Sequence, residues 1–505
     1  RDRILAGQFG AGEQLDIYYA AFRIPDFIYN LLILGALYAG FIPIFTEALT
    51  RGRREDAWRV ANGVLNLLGV GVVVLLLVGA LFADRLVPLI APGFRLDALE
   101  QTTVLTRIMF LSPFFLGFST VFGGILQSFK RFFVFSLGPI FYNLGIILGA
   151  EVFARWWGLE GLAWGVVFGA FLHMVIQLPA IGELGYRYRW VWAPRERFVR
   201  QILGLMVPRT LGLAVTQLNF VAMTVIASLL QKGSITVFNL AHNFQSFAIG
   251  VIGISFAIAA FPTISEAAAK NDRRDMIRHF SETARQILLF IVPATVLFLF
   301  LRAQIVRVVL GTGAFDWEAT LLTADALAFF VLSLGPQALI HLLARVFYAA
   351  KDTATPFVVG LVAMLVNVGF AIWLKDIYGV RGLALAFSAA AVVHFVLLWV
   401  ALRSKMQSLD ELRIVRAFYK MAVAALAMAV TIQALKAPLD WMLNTHTFVG
   451  IFLQGFIAGI LGLIVYVIVG IALRSEEIVL LVSSARKKFF RAFTPAESAD
   501  EATGP

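Results

Sequence analysis

Cysteine is absent from all 505 residues, which excludes disulfides, Cys-ligated zinc and iron–sulfur clusters and fixes no redox compartment. Charge is scarce too: 14% of the residues are Asp, Glu, Lys or Arg, against about 25% in a soluble protein. The chain has no GxxxxGK[ST] phosphate loop, no HExxH, no GxSxG and no carboxylates at metal-ligand spacing. That argues against nucleotide hydrolysis and against an enzyme. Its six histidines are scattered, so neither a metal nor a cofactor is expected.

What remains is apolar. Hydrophobic residues make up 60% of the chain and the mean hydropathy is +0.85. Runs of about 20 apolar residues recur along nearly the whole length, the pattern of an all-α polytopic membrane protein. The opening, Arg1 to Gly10, reads as the last part of a helix whose upstream half lies before Arg1. Thirteen further membrane helices are expected between residues 16 and 473, about fourteen in all. Asp84 to Gln101, with Pro88, Pro92 and Gly93, reads as a loop at the surface or in the interface. The tail from Arg474 reads as a basic amphipathic stretch, and Thr494 to Pro505 as disordered.

The net charge of +11 needs no nucleic acid, because the cations sort by side. One set of alternate loops holds Arg51, Arg53, Arg54, Lys130, Arg131, Arg187, Arg189, Lys270, Arg273, Arg274 and the basic tail. The other set holds about a third as many, so the first is read as cytoplasmic, with both termini.

A repeat sets the expected architecture. Phe41-Ile-Pro-Ile-Phe-Thr-Glu-Ala48 returns as Phe261-Pro-Thr-Ile-Ser-Glu-Ala267, with Pro262 standing to Pro43 as Glu266 stands to Glu47. At nearly the same offset, Gly158-Leu-Glu-Gly-Leu-Ala163 returns as Gly379-Val-Arg-Gly-Leu-Ala384, and His173 as His394. Six helices per copy is an even number, so the copies share one orientation. The expected lobes are residues 1–184 and 185–404, parallel six-helix bundles around a central cavity. Two additional helices follow at 405–473, and a cytoplasmic tail at 474–505.

A charged or strongly polar group in hydrocarbon is costly and marks a wet or paired site. In the first copy such groups are Arg1, Arg3, Asp16, Arg23, Asp26 and Asn30; in the second they are Arg209, Gln217, Asn219, His242, Asn243 and Gln245. Guanidinium groups bind phosphate bidentately, so a cavity lined by them suits a pyrophosphate or another anionic head group. Asp16 is expected to hold Arg1 in place; the plainer alternative is that Asp16 caps its helix while Arg1 and Arg3 snorkel. His173 and His394 are read as hydrogen-bonded inside their bundles, with a proton relay as the alternative.

These residues resemble the MurJ/MviN family of lipid II flippases, within the multidrug/oligosaccharidyl-lipid/polysaccharide exporter superfamily. The matching features are Arg1-Asp2 with Phe9-Gly-Ala-Gly12, Asp16, Ala21-Phe-Arg-Ile-Pro25, Gly35-Ala36, Phe41-Ile-Pro43 with Glu47, and Ala91-Pro-Gly-Phe94. The second copy adds Pro208, Gln217, Ala227-Ser228, Gly250 and Phe261-Pro262. The resemblance implies fourteen helices, alternating access, and movement of a lipid-linked anionic glycan precursor to the outer leaflet of the bacterial cytoplasmic membrane. It also implies membrane lipids and cell-wall synthesis enzymes as partners, and a monomer. Arg1 matches a family cavity arginine and Asp16 its acidic neighbour. The chain departs from the family at Tyr29, Asn30 and Leu34, where an Arg pair and a Glu are usual, at Asn243, where an Arg is usual, and near Ala222, where some members have a carboxylate. Arg23, Arg209 and His242 are the candidates to stand in for those charges. The rivals are a flippase for another polyprenyl-linked oligosaccharide, a cation-coupled multidrug exporter and a membrane scaffold.

Overall fold

Apolar helices dominate because, in hydrocarbon, every backbone N–H and C=O must be satisfied within its own segment. The computed structural model describes residues 1–34, 40–192, 194–445 and 447–493, and no side chain at 32–34, 203, 205, 207–209, 211 or 485–493. Among the described residues there is no β-strand. Among the described residues nine helices are long and apolar enough to cross a membrane, or ten if Trp317–Val331 and Leu334–Ala349 form one broken span.

The expected fourteen differ from this count at identifiable places. Asp2–Phe9 has only 8 residues, and Glu13–Ile28, which has 16 before it runs into a π-helical turn, carries four charged side chains. Within Arg197–Ser228, Gly212–Ser228 is a shorter apolar helix. Conversely, Phe132–Glu183 passes as one stretch of 52 residues, although a straight helix of that length would run about 78 Å against a hydrocarbon core of about 30 Å. It is bent at Gly158, whose φ of 55° and ψ of −135° leave the helical region. Gly379, its counterpart in the repeat, has φ 57° and ψ −136° between Ala354–Tyr378 and Val380–Met406. A side chain rarely adopts that conformation, which is why both copies put glycine there.

Other repeated motifs also form alike. Glu47 pairs with Arg51 at 2.8 Å, and Glu266 with Lys270 at 2.6 Å, each one helical turn on. A π-helical turn spans Tyr29–Leu34 in the first copy and Ile249–Ile254 in the second. The expected loop from Asp84 is mostly helical instead: Ala83–Ile90 buries Ala83 and Val87, and only residues 91–95 interrupt the helices before Leu96–Met109 begins. Burying those two residues, one turn apart, holds the turn against the membrane bundle despite Pro88.

By contact the described chain groups into two units. One comprises Arg1–Gln245, Val306–Phe330 and Thr353–Leu397; the other comprises Ser246–Ile305, Val331–Asp352 and the chain from Leu398. This grouping is not the division by repeat. In the first unit, Phe41, Phe45, Val64, Val121 and Ile125 form one buried cluster, and Leu5, Leu15, Tyr18, Leu105 and Val166 another. The extended segment after Gly185 is tied to Arg54–Leu81 by two buried asparagines: Tyr186 and Tyr188 donate to Asn62 and Asn66 at 2.7 Å each. In the second unit, buried Arg285 pairs with buried Glu477, which fastens the helix Glu476–Phe493. Two long helices of this unit, Glu411–Met442 and Phe448–Ala472, leave Leu426, Val430, Phe456 and Ile468 exposed, as lipid-facing surfaces do.

Candidate functional site

Glycine and small polar residues begin the helices on which the intramembrane charges sit. Glu13–Ile28 starts after Gly12, and Ser234–Ala248 starts after Gly233, which has φ 89°. The first N–H groups of a helix have no intrahelical acceptor and carry partial positive charge. Asp16 answers that need across the repeat. Its buried carboxylate accepts the Gly233 N–H at 2.6 Å, the Thr236 N–H at 2.8 Å and the Thr236 hydroxyl at 2.7 Å. It therefore caps the second copy's helix, not its own.

Thr236 stands 220 residues after Asp16, within one residue of the repeat's offsets. The contact therefore joins corresponding stretches of the two copies. Lys232 pairs with Glu13 at 2.7 Å beside it.

A second group surrounds Arg1. Its Nε donates to Asp2 Oδ1 at 2.8 Å, and Asp2 Oδ2 accepts from the Asn243 amide at 2.9 Å. Asp2, and not Asp16, is thus the partner of Arg1. A third group surrounds Arg23, which donates Nε to Thr224 Oγ1 at 2.8 Å and Nη2 to Asn239 Oδ1 at 2.5 Å, with its guanidinium 5.5 Å from the Phe220 ring centre. The His242 ring lies 5.0 Å from Phe220 and packs among Phe238, Phe330 and Phe387. Guanidinium offers five donors, and these contacts occupy one on Arg1 and two on Arg23.

The remaining expected residues scatter. Asn30 donates to the Asp26 carboxylate and backbone oxygens at 2.9 Å, within one helix. Arg3 is exposed and donates to the Val308 carbonyl at 2.7 Å. Asn219 accepts from Asn367 at 2.7 Å, and Gln217 is half-buried on the same helix. Gln245 is buried. The side chain of Arg209 and the pair Gly35-Ala36 lie outside the described residues. His173 bonds Ser119 Oγ through Nδ1 at 2.5 Å, a short bond between two packed helices.

Near the helix starts, loop and helix end interlock reciprocally. Gly93 of the first copy donates its N–H to Ser228 Oγ at 3.3 Å, while Ala314 of the second donates to the Gly7 carbonyl at 2.7 Å. A Cβ at Gly93 would fall 2.0 Å from the Ser228 carbonyl oxygen, and one at Gly313 2.2 Å from that of Gly7. The backbones touch directly at both places.

The comparisons with known proteins fit this geometry. A family model described as lipid II flippase MurJ matches residues 5–453. The chain belongs to the lipid II flippase MurJ family. A lipid II flippase MurJ from Burkholderia cenocepacia is 27% identical over 449 residues, covering 87% of each chain. A "Probable lipid II flippase MurJ" from Vibrio cholerae is 30% identical over 462 residues, covering 88% of this chain and 86% of its own. Among solved structures, a lipid II flippase MurJ in an inward closed conformation superposes with TM-score 0.75 at 23% identity, covering 91% of this chain and 94% of its own. An inward-facing multidrug MATE transporter of the MOP superfamily superposes with TM-score 0.70 at 17% identity, covering 81% of this chain and 94% of its own. The fold is that of the transporter superfamily, in a multi-pass membrane protein.

Sequence reasoning missed Asp2, Thr224, Asn239 and Thr236 as parts of the site. Asp2 adjoins a candidate arginine and was within reach. The three neutral residues carry no signal by themselves, because each matters only for the charged side chain folded against it.

Proposed function

We propose that this protein flips lipid II from the cytoplasmic to the outer leaflet by alternating access, as the names of its relatives indicate. The observation that carries the reading is the pair of arginines, Arg1 at the exposed start of the first helix and half-buried Arg23, each held by hydrogen bonds and each with N–H donors to spare. Such groups take the oxygens of a pyrophosphate while the polyprenyl tail stays in the bilayer. The less basic face, which holds the Gly93 and Gly313 contacts, is the outer one, both termini are cytoplasmic, and the closed clasp there leaves loading to the cytoplasmic side. The lobes are residues 1–184 and 185–404 around a central cavity, and the π turns at Tyr29–Leu34 and Ile249–Ile254 are where their helices flex. The working form is a monomer that passes its cargo to cell-wall synthesis enzymes.

The test is reconstitution in vesicles with fluorescent lipid II and with another polyprenyl-pyrophosphate-linked oligosaccharide. Translocation of the first supports the reading. Translocation of the second alone would reassign the substrate.

A further inference from the structure

A cleft of about 340 Å³ opens beside Gly379, at the end of Ala354–Tyr378. Its polar lining is Gln231, Lys375, Asp376, Tyr378 and Arg381, and Leu230, Leu322 and Val380 supply its apolar part. The charges come as neighbouring opposites: Lys375 pairs with Asp376 at 2.7 Å, and Arg381 with Asp325 at 3.2 Å. Below the cleft the same helix exposes Leu365, Ile372, Trp373 and Ile377. Those are surfaces for acyl chains, while Trp373 and Tyr378 have the amphipathic rings that settle at headgroup level. The cleft therefore lies where the phosphates of a bilayer lie.

The repeat supplies an internal control. In the register that sets Gly158 against Gly379, the first copy has Ala154 for Lys375, Arg155 for Asp376 and Glu160 for Arg381. Gly158 nonetheless makes the same turn as Gly379. The fold does not need these charges to build this corner, so their ion pairs can be exchanged for those of a ligand.

We infer that this cleft binds the headgroup of a phospholipid carrying a primary ammonium, the phosphatidylethanolamine class. Lys375 and Arg381 take the phosphate oxygens. Asp376 takes the ammonium, with Tyr378 beside it. Phosphatidylglycerol brings the phosphate and no cation for Asp376; phosphatidylcholine brings a cation with no N–H to donate. The site is separate from Arg1 and Arg23, and its occupancy does not depend on which lipid-linked cargo is moved.

The test is native mass spectrometry of the full chain in detergent, with equimolar phosphatidylethanolamine, phosphatidylglycerol and phosphatidylcholine of matched acyl chains. The wild type is expected to retain phosphatidylethanolamine over phosphatidylglycerol by about threefold, the scale of one exposed ion pair. Asp376→Asn is expected to shift the ratio toward phosphatidylglycerol, Lys375→Gln to lower retention of both, and Arg155→Gln to change nothing. Soluble phosphoethanolamine is expected to be retained less than the lipid. Equal retention of the two lipids by the wild type, an unchanged ratio in Asp376→Asn, or equal retention of the soluble compound would each overturn the assignment. If Lys375→Gln fails to fold, Asp376→Asn decides alone, because its side chain is 74% exposed.

Discussion

The first copy brings charge to the site and the second brings dipoles. Arg1, Asp2, Asp16, Arg23 and Asp26 all belong to the opening two helices, whereas their partners in the second copy are Gly233, Thr236, Thr224, Asn239 and Asn243, all neutral. The scaffold is close to symmetric in its turns, helix starts and ion pairs, yet its chemistry is one-sided. Duplication supplied two equivalent frames, and a buried charge needs hydrogen-bonding neighbours, which the second copy provides. The neutral partners of Arg23 also leave its positive charge available to an anionic cargo, whereas Arg1 shares its own with Asp2.

The largest effect is expected where the halves touch. Asp16→Thr leaves the Gly233 and Thr236 N–H groups without their carboxylate, a loss of about 3 kcal/mol or more, and should abolish flipping in vesicles. The exchange Asp16→Thr with Thr236→Asp tests the symmetry itself: partial recovery supports a carboxylate acting at this contact, while no recovery confines the role to the first copy.

Next come the clasp glycines. Gly93→Ala and Gly313→Ala each push a methyl group into a backbone carbonyl, a conflict of roughly 1–3 kcal/mol. Each should shift the protein toward an open outer face, to similar extents if the two contacts are equivalent. Because the chain has no cysteine, single cysteines introduced near these loops report accessibility cleanly.

Arg23→Gln keeps size and removes the charge; head-group affinity should fall about tenfold or more, since a charge-assisted bond is roughly twice as strong as a neutral one. Titration of binding with the purified protein checks this, and unchanged affinity would exclude Arg23 from the site. The smallest effect is expected for Asn243→Ala, which removes one hydrogen bond to Asp2, about 1–2 kcal/mol. It should show as a modest fall in transport that Asn243→Gln partly restores.

The membrane helices were legible because hydropathy is a property of each segment, and the repeat was legible because it is written in glycine and proline at fixed spacing. Where the reading strayed, a neighbour decided. The segment after Asp84 contains a proline and reads as a loop, but burial of Ala83 and Val87 makes it helical. The site was half visible: unusual charges point to themselves, yet Arg1 and Asp16 looked like partners until the fold gave Arg1 to Asp2 and Asp16 to Gly233, in the other copy.

By itself the sequence determined that this chain lives in a membrane, that it is built twice, and that its intramembrane charges cluster near its beginning. Each follows from composition or from spacing along the chain. The tertiary structure alone decided which groups those charges hold and which backbones meet. Hydrogen bonds and contacts between copies depend on distances in space, and the long stretch of chain separating one copy's residues from the other's carries no information about them until the chain is folded.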